Sequence, residues 1–169
     1  AFAHAKAIAA EAGAGTLTYV GRFDLAEFAV VLEPEDPLWS ARLAFYAGMV
    51  ALRDALLGQA PPERPISLSW PDAISVDGGL IGGGRLGWPD GADERVPPDW
   101  LVFGASIRTL GLGEQLLDRA ADDLLAVVAE ELVRAGVGEG DRAVVVDLDD
   151  GVRRGLEDRL KSGFVRARV

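Results

Sequence analysis

The stretch Ile66-Ser67-Leu68-Ser69-Trp70-Pro71-Asp72-Ala73-Ile74-Ser75-Val76-Asp77-Gly78-Gly79-Leu80-Ile81-Gly82-Gly83-Gly84-Arg85-Leu86 decides the fold class. Ile66, Leu68 and Trp70 alternate with two serines, a two-residue period that predicts a strand over 66–70. Residues 73–77 predict a second strand. Asp77-Gly78-Gly79 is a tight-turn signal. Leu80-Ile81 then leads into the glycine run Gly82-Gly83-Gly84 and Arg85. Strand follows strand here with no room for a helix. Parallel, doubly wound sheets need a helical crossover between most strands. The chain is therefore predicted to be α+β, with a mixed, largely antiparallel sheet and helices on one face.

Upstream, Phe2, Ala5, Ile8 and Ala9 lie at helical spacing and predict a helix over 2–12, closed by Gly13 or Gly15. Residues 16–21 and 26–33 predict two strands joined by a hairpin-sized link, Arg22-Phe23-Asp24-Leu25. A helix over about 41–57 is expected next, capped by Ser40 with Trp39 as a hydrophobic staple. Downstream, residues 88–99 lack periodicity and predict a loop. Residues 100–108 form a strongly apolar strand. Leu117, Ala120, Ala121, Leu124, Val128 and Leu132 define a long amphipathic helix over about 114–135. Gly136–Gly140 is the one plausible boundary, separating a main domain, 1–138, from a short strand-helix-strand extension, 139–169.

The 169 residues suit one domain with a sizeable core. No cysteine is present, which excludes disulfides, a thiolate nucleophile and cysteine zinc sites. Net charge is −10, which argues against a nucleic-acid partner. The basic residues concentrate at 152–169, a segment of +4 against −14 for the remainder. It reads either as a solvated face or as a patch for an acidic partner. No apolar run approaches the ~18 residues of a membrane span. Ala1 to Ala14 carry Lys6, Glu11 and no signal-peptide pattern, so a cytoplasmic location is expected. The lack of an initiator Met predicts that the natural chain starts upstream.

Few residues carry obvious chemistry. His4 is the single histidine and sits in an Ala-rich helix, as a surface residue or as the only base for a triad. Asp147-Leu148-Asp149-Asp150 could be an acidic helix cap or an oxygen-ligand Mg²⁺ site. In Gly82-Gly83-Gly84-Arg85, glycines permit close approach of a ligand to the backbone, and Arg85 offers a forked cation for a carboxylate or phosphate. An ordinary glycine turn is the alternative. It is neither a Walker loop nor a Rossmann fingerprint, because neither Gly-Lys-Ser/Thr nor a helix follows.

The segment Leu68 to Gly83 resembles the Lys-Trp-Pro-Asn-Asp strand and following hairpin of biotin protein ligases. Leu101-Val102-Phe103-Gly104-Ala105-Ser106-Ile107-Arg108 is similar to that family's apolar strand ending in Gly-x-Gly-hydrophobic-Asn. The order of elements from Phe2 to Leu57 also fits. The whole resembles a compact branch of the biotin/lipoate ligase superfamily, with the class II aminoacyl-tRNA synthetase/biotin ligase type of fold. The resemblance implies activation of a small carboxylate (biotin, lipoate or octanoate) by ATP and Mg²⁺, then acyl transfer to a lysine of a carrier domain. In that chemistry Arg85, read above as the cation of the glycine run, would take the catalytic role, and Arg108 and Arg22 could compensate in part for missing family charges. Arg22, Trp70, Asp72, Gly82, Gly83, Gly84, Gly104, Ser106 and Arg108 would bind substrate. Trp70 would wall the pocket, or else be core.

The departures are specific. Ser69 stands where the family has the lysine before its tryptophan, and Leu80 where it has the lysine of the following segment. The arginine-glycine loop is reduced to Gly21-Arg22. Arg108 lies near the family's terminal asparagine. Each change removes a charge or hydrogen bond aimed at the acyl-phosphate. Two function classes follow: a divergent ligase-like domain, or a catalytically inactive relative serving as a binding or interaction module.

Overall fold

The computed structural model describes residues 1–22, 24–59 and 63–108, together with residues 145–146. The elements are α1 (Phe2–Ala12), β1 (Leu17–Arg22), β2 (Leu25–Leu32), α2 (Leu38–Ala41), α3 (Ala44–Gln59), β3 (Ile66–Ser69), β4 (Ala73–Val76), β5 (Gly79–Gly87), β6 (Leu101–Arg108) and β7 (Val145–Val146). The expected long helix at 114–135, the acidic cluster at 147–150 and the last helix and strand lie outside the described residues.

The strands form one sheet in the order β3-β4-β5-β6-β2-β1-β7. Every pairing from β3 to β1 is antiparallel, and β7 joins β1 in parallel. The α+β class and the largely antiparallel sheet are those expected from the consecutive strands. Asp77 and Gly78, both at positive φ, make the tight turn between β4 and β5.

The helices divide between the two faces of the sheet, a correction to the expectation that they share one. On one face Phe28, Val30, Phe103 and Ala105 pack with Met49 and Leu52 of α3. On the other, Ala29, Val31 and Val102 pack with Ala5 and Ala9 of α1. The cause is the composition of β2 and β6. Both are almost continuously apolar and buried along their length, so successive side chains on either face need cover.

Two local expectations also change. Trp39 and Ser40 fall inside α2, which starts after Pro37 without a side-chain cap, and Trp39 is exposed, not a staple. The glycine run, expected as a turn or loop, lies within the nine-residue strand β5.

Candidate functional site

The register of β5, β6, β2 and β1 fixes which residues share the α1 face, because directly paired residues project to the same side. One cross-strand row there is Arg85, Gly104, Ala29 and Thr18. The next is Gly83, Ser106, Glu27 and Val20. The last is Arg108, Leu25 and Arg22. Phe2 at the start of α1 packs over Gly104, where a Cβ would lie 2.5 Å from its ring. From there α1 runs away from the Ser106 and Arg108 rows. Val20, Arg22 and Arg108 are exposed there.

The corner between β3 and β4 borders this open area. Trp70, joined to Pro71 by a cis peptide, is 84% exposed, so it is not core. The Asp72 carbonyl fills the space that a side chain at Gly83 would take, and it accepts a 3.0 Å hydrogen bond from the Gly84 amide. The exposed Asp72 is thus anchored through its backbone.

The three arginines share the face but differ in state. Arg22 makes a forked pair with Asp24, at 2.9 and 2.7 Å. That hydrogen bond, opposed by desolvation and aided by the Arg22 charge, holds the Asp24 carboxyl below its usual range, and the same pairing raises Arg22. Arg85 lies over the Phe2 ring, 5.0 Å from its centroid, a cation–π contact. Arg108 is exposed and has no ion pair among the described residues.

Glu27 is a functional-face residue that the sequence reading did not single out. Its carboxylate accepts from the Ala1 nitrogen at 3.2 Å. Burial is the largest single influence and pushes its pKa up. The Phe2 backbone and Arg85 act in the opposite sense. The available signal was one charged residue inside the apolar run Ala26 to Leu32.

The glycine run is explained by packing. A Cβ on Gly82 would meet the Ser106 carbonyl oxygen, one on Gly83 the Asp72 carbonyl, and one on Gly84 the Met49 sulfur at 2.5 Å. Gly82 and Gly84 belong to the α3 face, away from Arg85, Gly83 and Ser106. The space beside each glycine is filled by protein, so the run does not fit a triphosphate cradle. No group of three or more His, Asp or Glu suited to a metal occurs among the described residues. His4 is on the exposed side of α1.

A cleft of about 390 Å³ opens elsewhere, lined by Ala3, Lys6, Ala7, Trp88, Asp90 and Trp100. It adjoins the end of β5 opposite Gly83 and holds none of the residues singled out in the sequence. Its Lys6 and Asp90 offset one another. We place the candidate site on the open sheet face, where a cation and a hydroxyl meet with exposed backbone nearby. What this arrangement can do is hold an anion: Arg108 donates a fork of N–H groups and Ser106 a hydroxyl two residues away on the same strand face.

No helix among the described residues is long and apolar enough to cross a membrane. No curated protein matches the chain. A biotin protein ligase-like protein of unknown function from Silicibacter is similar over 92% of this chain and 72% of its own, at 29% identity and a TM-score of 0.67. A biotin protein ligase from Leishmania major, solved with biotinyl-5-AMP, matches 96% of this chain and 78% of its own at 16% identity and a TM-score of 0.50, a likeness of fold. The family model for the biotin/lipoate A/B protein ligase family matches residues 1–135. This chain belongs to the biotin/lipoate A/B protein ligase family.

Proposed function

We propose that this chain binds a small carboxylic acid, of the biotin, lipoate or octanoate type, on the open part of the α1 face. One observation carries the reading: Ser106 and Arg108 project from the same face of β6 beside Gly83, with Arg108 free of ion pairs among the described residues. Leu25, paired with Arg108, and Val20, beyond Glu27, would take the acid's apolar body, and the Trp70 corner its flank. Arg85, drawn onto Phe2, would sit behind Arg108 and add positive potential. The acid's adenylate is a ligand of the same kind, since its mixed anhydride also carries a single negative charge, now on the phosphate.

Acyl transfer to a carrier lysine with ATP and Mg²⁺ is the finer form of this reading. A specific observation favours the inactive alternative. Ser69 and Leu80 offer no cation, and Arg22 is already committed to Asp24. On that ground the chain is a binding module first.

Titration calorimetry with biotin, lipoate and octanoate, each with and without ATP and Mg²⁺, tests both forms. Binding of one acid, weakened at least about tenfold by Arg108→Ala, is the expected result, the usual scale for losing a charge-assisted hydrogen bond. Absence of heat with all three acids sinks the proposal. Pyrophosphate release in the same mixtures would move the chain from binding module to ligase.

A further inference from the structure

α3 is apolar on both sides. Ala44, Met49, Ala51, Leu52, Ala55 and Leu56 face the sheet and are buried. On the opposite side Tyr46, Val50 and Leu57 are exposed by 47, 48 and 41%, and Leu43 in the preceding turn and Trp39 of α2 lead into them at 61 and 60%. A helix apolar all round is normally buried on all sides. The only charged residues of α3, Arg53 and Asp54, pair with each other at 3.0 Å.

The positions Leu43, Tyr46, Val50, Arg53 and Leu57 are spaced three, four, three and four residues apart, the seam spacing of paired helices. Aromatic side chains such as Trp39 and Tyr46 offer on the order of 150–250 Å² each when open, and the leucines and valine somewhat less. Half-exposure of five of them gives roughly 500 Å² per copy, and two copies reach the ~1,000 Å² that a specific interface needs.

We propose that two copies of this chain associate through α3, antiparallel and about a two-fold axis. The register follows from covering the whole stripe. In antiparallel pairs the two seam positions alternate across the interface. Tyr46 then lies against Val50 of the second copy, Trp39 against Leu57, and Leu43 along the aliphatic stem of Arg53. A shift by one heptad leaves Trp39 or Leu57 uncovered. The contact is isologous, so each pairing occurs twice. It is also free of like-charge conflict despite the net charge of −10, because Arg53 and Asp54 neutralise each other at the seam. α3 lies on the face opposite the candidate site, so the dimer leaves both sites open.

Sedimentation equilibrium of the full chain is expected to show a monomer–dimer equilibrium. Val50→Glu and Tyr46→Lys, each folded by circular dichroism, are each expected to weaken it at least about tenfold. Mixing the two variants should restore the dimer. Only the mixed pair sets the introduced lysine against the introduced glutamate while keeping one native Tyr46–Val50 contact. A monomer at every concentration overturns the proposal. So does a dimer indifferent to Val50→Glu, or a mixture that stays monomeric. A monomer that Val50→Glu destabilises would assign the stripe to another segment of the same chain and equally overturn it.

Discussion

At Gly83 and Gly84 the same residue type answers two different demands. A Cβ at Gly83 meets a backbone carbonyl, that of Asp72, which cannot move without disturbing the β3–β4 corner. A Cβ at Gly84 meets the end of the flexible Met49 side chain. Gly83→Ala should therefore lower stability by about 2 kcal/mol or more, within the range for overpacked sites. Gly84→Ala should cost less and be partly rescued by Met49→Ala. Thermal melts of the four variants check this. Arg22 and Asp24 give a titration at the same scale. With the Asp24 carboxyl depressed, whatever stability the pair lends is present above the ordinary carboxylate pKa of about 4 and disappears as pH falls through the lower folded value. Both groups are solvent-exposed, so the energy is small. The expected readout is an NMR titration midpoint for Asp24 below the ordinary value, returning to it in Arg22→Gln. The sequence showed the glycines and arginines but not their duties. Whether an arginine meets a ligand, an aspartate or a phenyl ring depends on its cross-strand neighbours.

Among the elements, α1 depends on small side chains. Ala5 and Ala9 are fully buried against Ala29, Val31 and Val102, which sets the helix close to the sheet. Ala5→Leu or Ala9→Leu should destabilise by about 1–3 kcal/mol through overpacking, read as a lower denaturation midpoint with unchanged slope. The outward Ala10→Leu should be near neutral. α1, β2, β4 and β6 were legible from periodicity almost to the residue. β5 was not. Glycine is a poor strand former, and a run of three reads as a turn. What makes it a strand is pairing on both sides, with β4 and β6, which lies outside any local window.

For the molecule as a whole, consecutive strands without helices correctly gave the α+β class and the antiparallel sheet. The two-sided placement of the helices was written in the sequence as well. Ala26 to Leu32 and Leu101 to Ile107 are nearly unbroken apolar runs, the pattern of strands covered on both faces. The candidate site was legible only in part. Trp70, Asp72, Gly83, Ser106, Arg85, Arg22 and Arg108 do border or share one face, while Gly82 and Gly84 turn to the other. Glu27 entered only through its register opposite Ser106.

The glycine strand also bears on how the sheet avoids mispairing. Strand alignment is ordinarily enforced because a one-residue slip turns apolar side chains outward. Gly82, Gly83 and Gly84 have no side chains to misplace, so that safeguard is silent along a third of β5. Its work passes to exclusion. The Ser106 carbonyl and the Met49 sulfur beside Gly82 and Gly84, and the Asp72 carbonyl beside Gly83 on the other face, each stand where a Cβ would go. A slide in either direction would drive Ile81 or Arg85 into one of those places. Alignment here is set like a key cut with three blanks, by what cannot enter and not by what attracts.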